Sequence, residues 1–195
     1  MVNSNFSIAE EKIAEIMHHF KVLIICSSIL IALGCHPDPS SKGTYPFRRS
    51  NAVLESIQII QKIEFNNQNR KNRPLLQRIH YYLGTPYRYG GNSRRGMDCS
   101  GFVTTVYREI YKIKLARSSE KIYSQCQKIG NENLAVGDLV FFSDRYKQKI
   151  GHVGIFVGDD YFAHTSVNNG VIISRIGEEY YRTRYQGGGR VIKLK

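Results

Sequence analysis

The chain has no tryptophan, and only five prolines and four cysteines in 195 residues. The cysteines are Cys26, Cys35, Cys99 and Cys126, and none forms a CxxC pair. Neither a zinc finger nor a dense disulfide framework is therefore indicated. Acidic side chains are scarce, 16 against 28 Lys and Arg, which leaves a net charge of +12. That balance admits an anionic surface, an acidic polymer or nucleic acid as partner. No recognition helix, finger or RNA-binding signature accompanies it, so nucleic acid is not expected. No internal repeat is visible. No apolar run reaches the ~20 residues that a comfortable transmembrane helix needs. The length suits one ordinary domain with an extension, large enough to bury a real core.

An uncharged run, Val22 to Gly34, follows Lys21 and fits the apolar region of a secretory signal. It ends in Ala32-Leu33-Gly34-Cys35, which resembles the lipobox of bacterial lipoproteins, with Ala32 where leucine is more usual. The resemblance implies lipidation of Cys35 as the first residue of the mature protein. An ordinary signal peptide or a short membrane anchor is the alternative. Glu10, Glu11 and Glu15 stand where a signal would carry positive charge, and Met17 is an alternative start. If residues 1–16 are translated, Ile8 to Phe20 suits a short amphipathic helix.

His36 to Asn51 is rich in Pro, Ser and Arg and reads as a tether. Ala52 to Phe65 has helical periodicity, and Pro74 to Leu83 reads as a second helix with Pro74 in its first turn. The expected organisation is a signal over 1–34, an anchored tether with a short helix over 35–71, and a compact domain over 72–195. Downstream, Arg117-Ser118-Ser119-Glu120 leads into a short serine-capped helix over Lys121 to Gln127, with Cys126 as a structural residue in it. Strands are expected at Leu139–Phe142, His152–Val157, Tyr161–His164, Val171–Ser174 and Arg190–Lys193. Helices first and strands afterwards is an α+β order with an antiparallel sheet.

The chemistry concentrates around Cys99. A turn-rich loop, Gly84-Thr85-Pro86-Tyr87-Arg88-Tyr89-Gly90-Gly91, precedes Asp98-Cys99-Ser100-Gly101-Phe102. Phe102, Val103, Val106, Tyr107 and Ile110 form the stripe of an amphipathic helix, with Asp98 as its cap. Cys99 then lies in the first turn, where free amides and the helix dipole favour a thiolate. A small buried hydrophobe is the alternative fate of such a cysteine. In the hairpin from Gly151 to His164, His152, Gly154 and Phe156 share one face, and Val153, Ile155 and Val157 the other. A Gly158-Asp159-Asp160 loop would pair Val157 with Tyr161 and put Gly154 opposite His164, with His152 its diagonal neighbour. A two-residue loop at Asp159-Asp160 would put the histidines on opposite faces. On one face they are either a satisfied polar pair or a base and the group that orients it.

Five ordered blocks now stand together: Gly84 to Gly91, Asp98 to Phe102, Val136 to Phe142, Gly151 to Ile155 and Phe162 to His164. Over roughly Leu75 to Lys193 the chain resembles the NlpC-type cysteine peptidases of bacterial cell walls, and among them the Spr-type murein endopeptidase lipoproteins. The resemblance implies a papain-like α+β fold, N-terminal helices on an antiparallel sheet of about five or six strands. It implies Cys99 as nucleophile, His152 as base and His164 as orienting residue, with no metal or other cofactor. It places Tyr87 and Ser100 near the substrate, although Ser100 also suits helix capping and Tyr87 a core position. Arg88, Arg94 and Arg95 are available to the carboxylates of murein stem peptides, or are ordinary surface charge.

The implied activity is hydrolysis of stem-peptide bonds, the D-alanyl–diaminopimelate cross-link first and the D-glutamyl–diaminopimelate bond second. A non-catalytic wall-binding lipoprotein and an amidase or acyltransferase acting on a lipid-like substrate are the other classes. A Cys/His/His zinc site is the chemical rival, without a visible fourth ligand. A monomer is expected. His36 after Cys35 offers nothing like an aspartate retention signal, so the expected location is an outer membrane, facing the periplasm, in a two-membrane organism.

Overall fold

The computed structural model describes residues 50–192, apart from 67–70, 145 and 147–148. The expected signal, the alternative start and the lipidated Cys35 lie outside the described residues. Two helices lead: α1 (Asn51–Asn66) and α2 (Arg73–Tyr82), the latter with proline in its first turn. A small ribbon, β1 (Asn92–Ser93) and β2 (Gly96–Met97), precedes α3 (Cys99–Tyr111). Then come α4 (Ser119–Gln125), β3 (Cys126–Ile129), β4 (Leu139–Ser143), β5 (Ile150–Gly158), β6 (Tyr161–Ser166) and β7 (Gly170–Arg175). A short α5 (Glu179–Arg182) and β8 (Tyr185–Val191) close the described chain. The main sheet has six antiparallel strands in the order β3-β8-β4-β5-β6-β7. The α+β architecture is the one the sequence implies.

Alternation along the strands builds two apolar layers. Leu139, Phe141, Val153, Ile155, Val157 and Ala163 face the helices and join Phe102, Val103, Val106 and Ile122 in the main core. Val140, Phe142, Phe156 and Phe162 point to the opposite face, where Tyr181 and Tyr185 cover them. Each large side chain so buried stabilises the fold by about 1.5–3 kcal/mol.

Three expectations change. The helix assigned to the tether belongs to the folded body. Ser56, fully buried on α1, accepts a hydrogen bond from the Ile173 amide at 2.9 Å and donates to the Ala52 carbonyl at 2.7 Å. That amide would otherwise be an unpaired donor, so α1 completes the sheet and the compact part starts upstream of residue 72. Cys126 leaves its helix early and opens β3, which pairs with β8 from Val191 to Gly188. The run Gly187-Gly188-Gly189 in β8 has no side-chain alternation, so the strand expected at Arg190–Lys193 catches only the end of β8, and its partner β3 is hidden from the sequence.

The third change concerns the hairpin. Gly158 pairs with Tyr161, so its loop is Asp159-Asp160, both at positive φ (49° and 68°), as a tight primed turn requires. The odd residue is Val157, which bulges out between the Phe156–Phe162 and Gly158–Tyr161 pairs. A bulge shifts the register by one, as a longer loop would. Gly154 therefore still lies across from His164: a Cβ built on Gly154 would stand 3.2 Å from His164 Cβ.

Candidate active site

Asp98 caps α3, accepting from the Gly101 amide at 2.6 Å, and so holds Cys99 in the first turn. Its other oxygen accepts from the Gly90 amide at 2.8 Å, which ties the aromatic loop to the helix start. Arg117 closes this network. It donates to Asp98, to Ser100 Oγ at 2.7 Å and to the Gly91 carbonyl at 2.7 Å. The loop passes so near that a Cβ on Gly101 would stand 2.0 Å from the Gly91 oxygen. No side chain fits there.

Cys99 lines a cleft of about 480 Å³ together with Tyr87, His152, His164, Ser143 and Arg184. The amide of Val153, next to His152 on β5, is among the groups that favour the ionised Cys99 sulfur. His152 Nε2 lies 3.0 Å from His164 Nδ1, with the rings edge to face. His164 Nε2 is in turn 3.1 Å from Ser174 Oγ and 3.2 Å from the Tyr181 hydroxyl. His164 is 1% exposed and stacked on Phe162, so its ring is fixed. With Nε2 engaged, Nδ1 is the His152 nitrogen left for a thiol or a leaving amine. That assignment sets the tautomers: Nε2–H of His152 donates to His164 Nδ1, and Nε2–H of His164 donates onward to Ser174 or Tyr181.

A sequence profile of the NlpC/P60 family matches residues 84–190. The chain belongs to the NlpC/P60 family. It is 34% identical over 173 residues to the murein DD-endopeptidase MepS/murein LD-carboxypeptidase of Escherichia coli K12, covering 86% of this chain and 89% of that one. It is 37% identical over 173 residues to the probable endopeptidase NlpC of the same organism, covering 87% and 97%. Among solved structures, an NlpC/P60 family protein from Bacillus cereus aligns with a TM-score of 0.57 at 30% identity, over 62% of this chain and 40% of that one.

Within this NlpC/P60 cleft, burial pushes the Cys99 thiol up, and the Asp98 carboxylate adds to the shift; the amides of Val153, Ser100 and Cys99 pull the other way. Burial also pulls His152 down to about 4. His164 is held well below the ordinary histidine value by burial and by its neighbour His152. Both directions favour a neutral thiol and a neutral imidazole. Tyr87 is raised, by burial first and then by Cys99 and Asp98.

The structure thus brings Cys99, His152, His164 and Tyr87 together, and leaves Ser100, Arg88, Arg94 and Arg95 off the cleft lining. Ser100 is buried, and its hydroxyl donates to Asp98 and to the Arg117 carbonyl at 3.1 Å. It braces the capping Asp98, and its side chain does not line the cleft. Arg88 is exposed, off the cleft, with its stem packed over Gly96. Arg94 stacks on the Tyr81 ring at 4.6 Å. Arg117, Ser174 and Tyr181 escaped the sequence reading, since Arg117 meets Asp98 from 19 residues away with no local pattern to mark it. Among the described residues no cluster of His, Cys, Asp and Glu is arranged to hold a metal ion.

Proposed function

We propose that this NlpC/P60 peptidase hydrolyses peptide bonds of peptidoglycan, with the D-alanyl–diamino acid cross-link as its target. The observation that carries the reading is one cleft holding Cys99, His152 and His164, with the histidines in contact at 3.0 Å. The similarity to a murein DD-endopeptidase along most of both chains supports the substrate class.

His152 Nδ1 takes the Cys99 proton as the sulfur attacks the amide carbon. The Cys99 amide at the free end of α3 stabilises the oxyanion, as helix N-termini do. His152 then protonates the departing amine, and afterwards activates water against the thioester. His164 holds the base in its working tautomer. It brings no negative charge, so it orients His152 more weakly than a carboxylate would.

Digestion of purified peptidoglycan with mass analysis of the products tests this. Cross-linked dimers should resolve to monomers, and Cys99→Ala should stop it. Stem peptides cut after D-glutamate would shift the target to the second bond. Retention on the wall without new amines would make this a binding protein. We further propose that Cys35 is lipidated and anchors the protein to an outer membrane, facing the periplasm. The apolar run Val22 to Gly34 and Ala32-Leu33-Gly34-Cys35 support it. Loss of membrane association in Cys35→Ala is the expected result.

A further inference from the structure

The cleft carries two hydrogen-bond donors that the catalytic chain does not use. Arg184 lies on the lining, and its Nε is buried without a partner among the described residues. Its Nη1 is engaged by the Tyr180 carbonyl at 2.8 Å and Thr183 Oγ1 at 3.4 Å. The guanidinium lies 4.1 Å from the Tyr180 ring centroid, which fixes its plane. The edge that includes Nε is therefore held in place and unspent. Ser143, also on the lining, is 5% exposed, and its hydroxyl is buried without a partner among the described residues. The two residues adjoin, since the Ser143 amide donates to the Arg184 carbonyl at 2.8 Å. Buried polar groups in folded proteins are almost always paired. A cationic fork and a hydroxyl left unpaired in a cleft fit a bidentate carboxylate. Asp144, the acidic residue on this lining, is itself engaged.

The position says which carboxylate. Phe142 pairs with His152 across β4 and β5, and Ser143 is the next residue. Arg184 and Ser143 therefore stand on the wall that carries the base. His152 must reach the departing nitrogen, so this wall faces the leaving fragment. We propose that Arg184, assisted by Ser143, reads a free carboxylate on the leaving amino acid. The proposal rests on the peptidase reading above and sharpens its bond choice. In the D-alanyl–diamino acid cross-link, the departing amine sits on a carbon that bears a free carboxylate. In the D-glutamyl–diamino acid bond of a tetrapeptide stem, the equivalent carboxyl is tied up as an amide. A carboxylate reader selects the first.

The test uses two cross-linked muropeptide dimers that differ only at this group, free carboxylate against carboxamide. The unaltered enzyme should prefer the acid in kcat/KM by about ten- to a hundredfold. Arg184→Gln should bring the acid-to-amide ratio close to one, and Arg184→Lys should keep an intermediate ratio, because it retains charge without the fork. Ser143→Ala should lower the ratio by a few fold. If Arg184→Gln merely loosens α5, both substrates slow together and the ratio persists, which overturns the proposal. An enzyme that cuts neither dimer refutes the peptidase reading. Calorimetric binding of the same pair to Cys99→Ala then decides the carboxylate site. Tighter binding of the acid, abolished by Arg184→Gln, sustains it, and equal binding of both overturns it.

Discussion

The Asp98 carboxylate and the Arg117 guanidinium meet fork to fork, with Nη1 2.7 Å from Oδ1 and Nη2 3.0 Å from Oδ2. Burial alone would raise the carboxyl, but Arg117, the Gly101 amide and the Ser100 hydroxyl outweigh it, and its pKa lies below the ordinary carboxylate value. Arg117→Ala should cost about 1–2 kcal/mol of stability, less than a fully buried pair because the arginine is partly exposed. It should lower kcat more than it raises KM, since what loosens is the first turn that carries Cys99. The folded-state value is depressed, so this stabilisation is present above the unfolded carboxylate pKa and is lost as pH falls through the folded one. Acid titrations of both proteins should show Arg117→Ala unfolding at the higher pH.

Gly154→Ala should damage both stability and activity. The new Cβ would meet Phe162 Cδ2 at 2.5 Å and the Ala163 oxygen at 2.9 Å, inside a paired sheet. Overpacking of this kind costs about 1–3 kcal/mol. Because His164 lies across from Gly154, kcat should fall further than thermal stability alone explains. A variant with normal melting and normal turnover would contradict the hairpin register.

Burial lowers His152 from 6.5 to about 4. The unfolded chain takes up the proton as pH falls through the ordinary value, and the folded chain only near 4. Stability contributed by this residue is thus present above the unfolded value, is lost between the two, and levels off below. The same shift keeps the base neutral, so kcat/KM should hold from neutrality to about pH 5 and drop near 4. An acid limb at the ordinary histidine value would mean that His152 is solvated in the working enzyme. Ser174→Ala combined with Tyr181→Phe, which leaves His164 Nε2 without either hydroxyl, should reduce kcat with little change in KM.

Ser56→Ala removes the acceptor of the Ile173 amide, a buried donor with no other partner among the described residues. The expected loss is about 1–3 kcal/mol, read from denaturant unfolding. A protein truncated to begin at residue 72 should be less stable than one beginning at residue 50, because α1 buries Val53, Ile60 and Ile63 against the domain. Equal stability would return α1 to the tether.

Asp98 as a cap, the stripe behind Cys99 and the alternation around His152 were all legible, because each is set by near neighbours along a helix or strand. Arg117, Arg184, Ser174 and Tyr181 were not. Each acts on a residue that only chain folding brings near, and an isolated Arg, Ser or Tyr carries no periodic signal. Arg88 and Ser100 show the converse. Their neighbours in sequence suggested substrate contact, but Arg88 faces solvent and Ser100 is spent on the Asp98 network.

The sequence by itself placed Cys99 in the first turn of a capped helix, set the alternation around His152 and gave the α+β order, since side-chain period and capping chemistry are local properties. Tertiary structure decided how the histidines came to share a face. A bulge at Val157, not a longer loop, restored the register. Either device inserts one extra residue between the paired positions, in the strand or in the loop, and the bulge is the one found because Asp159 and Asp160 close a tight turn on their own. It also decided what surrounds the Cys99 sulfur, where Arg117 locks the helix start and Arg184 stands on the wall beside His152 with an Nε that has no partner among the described residues.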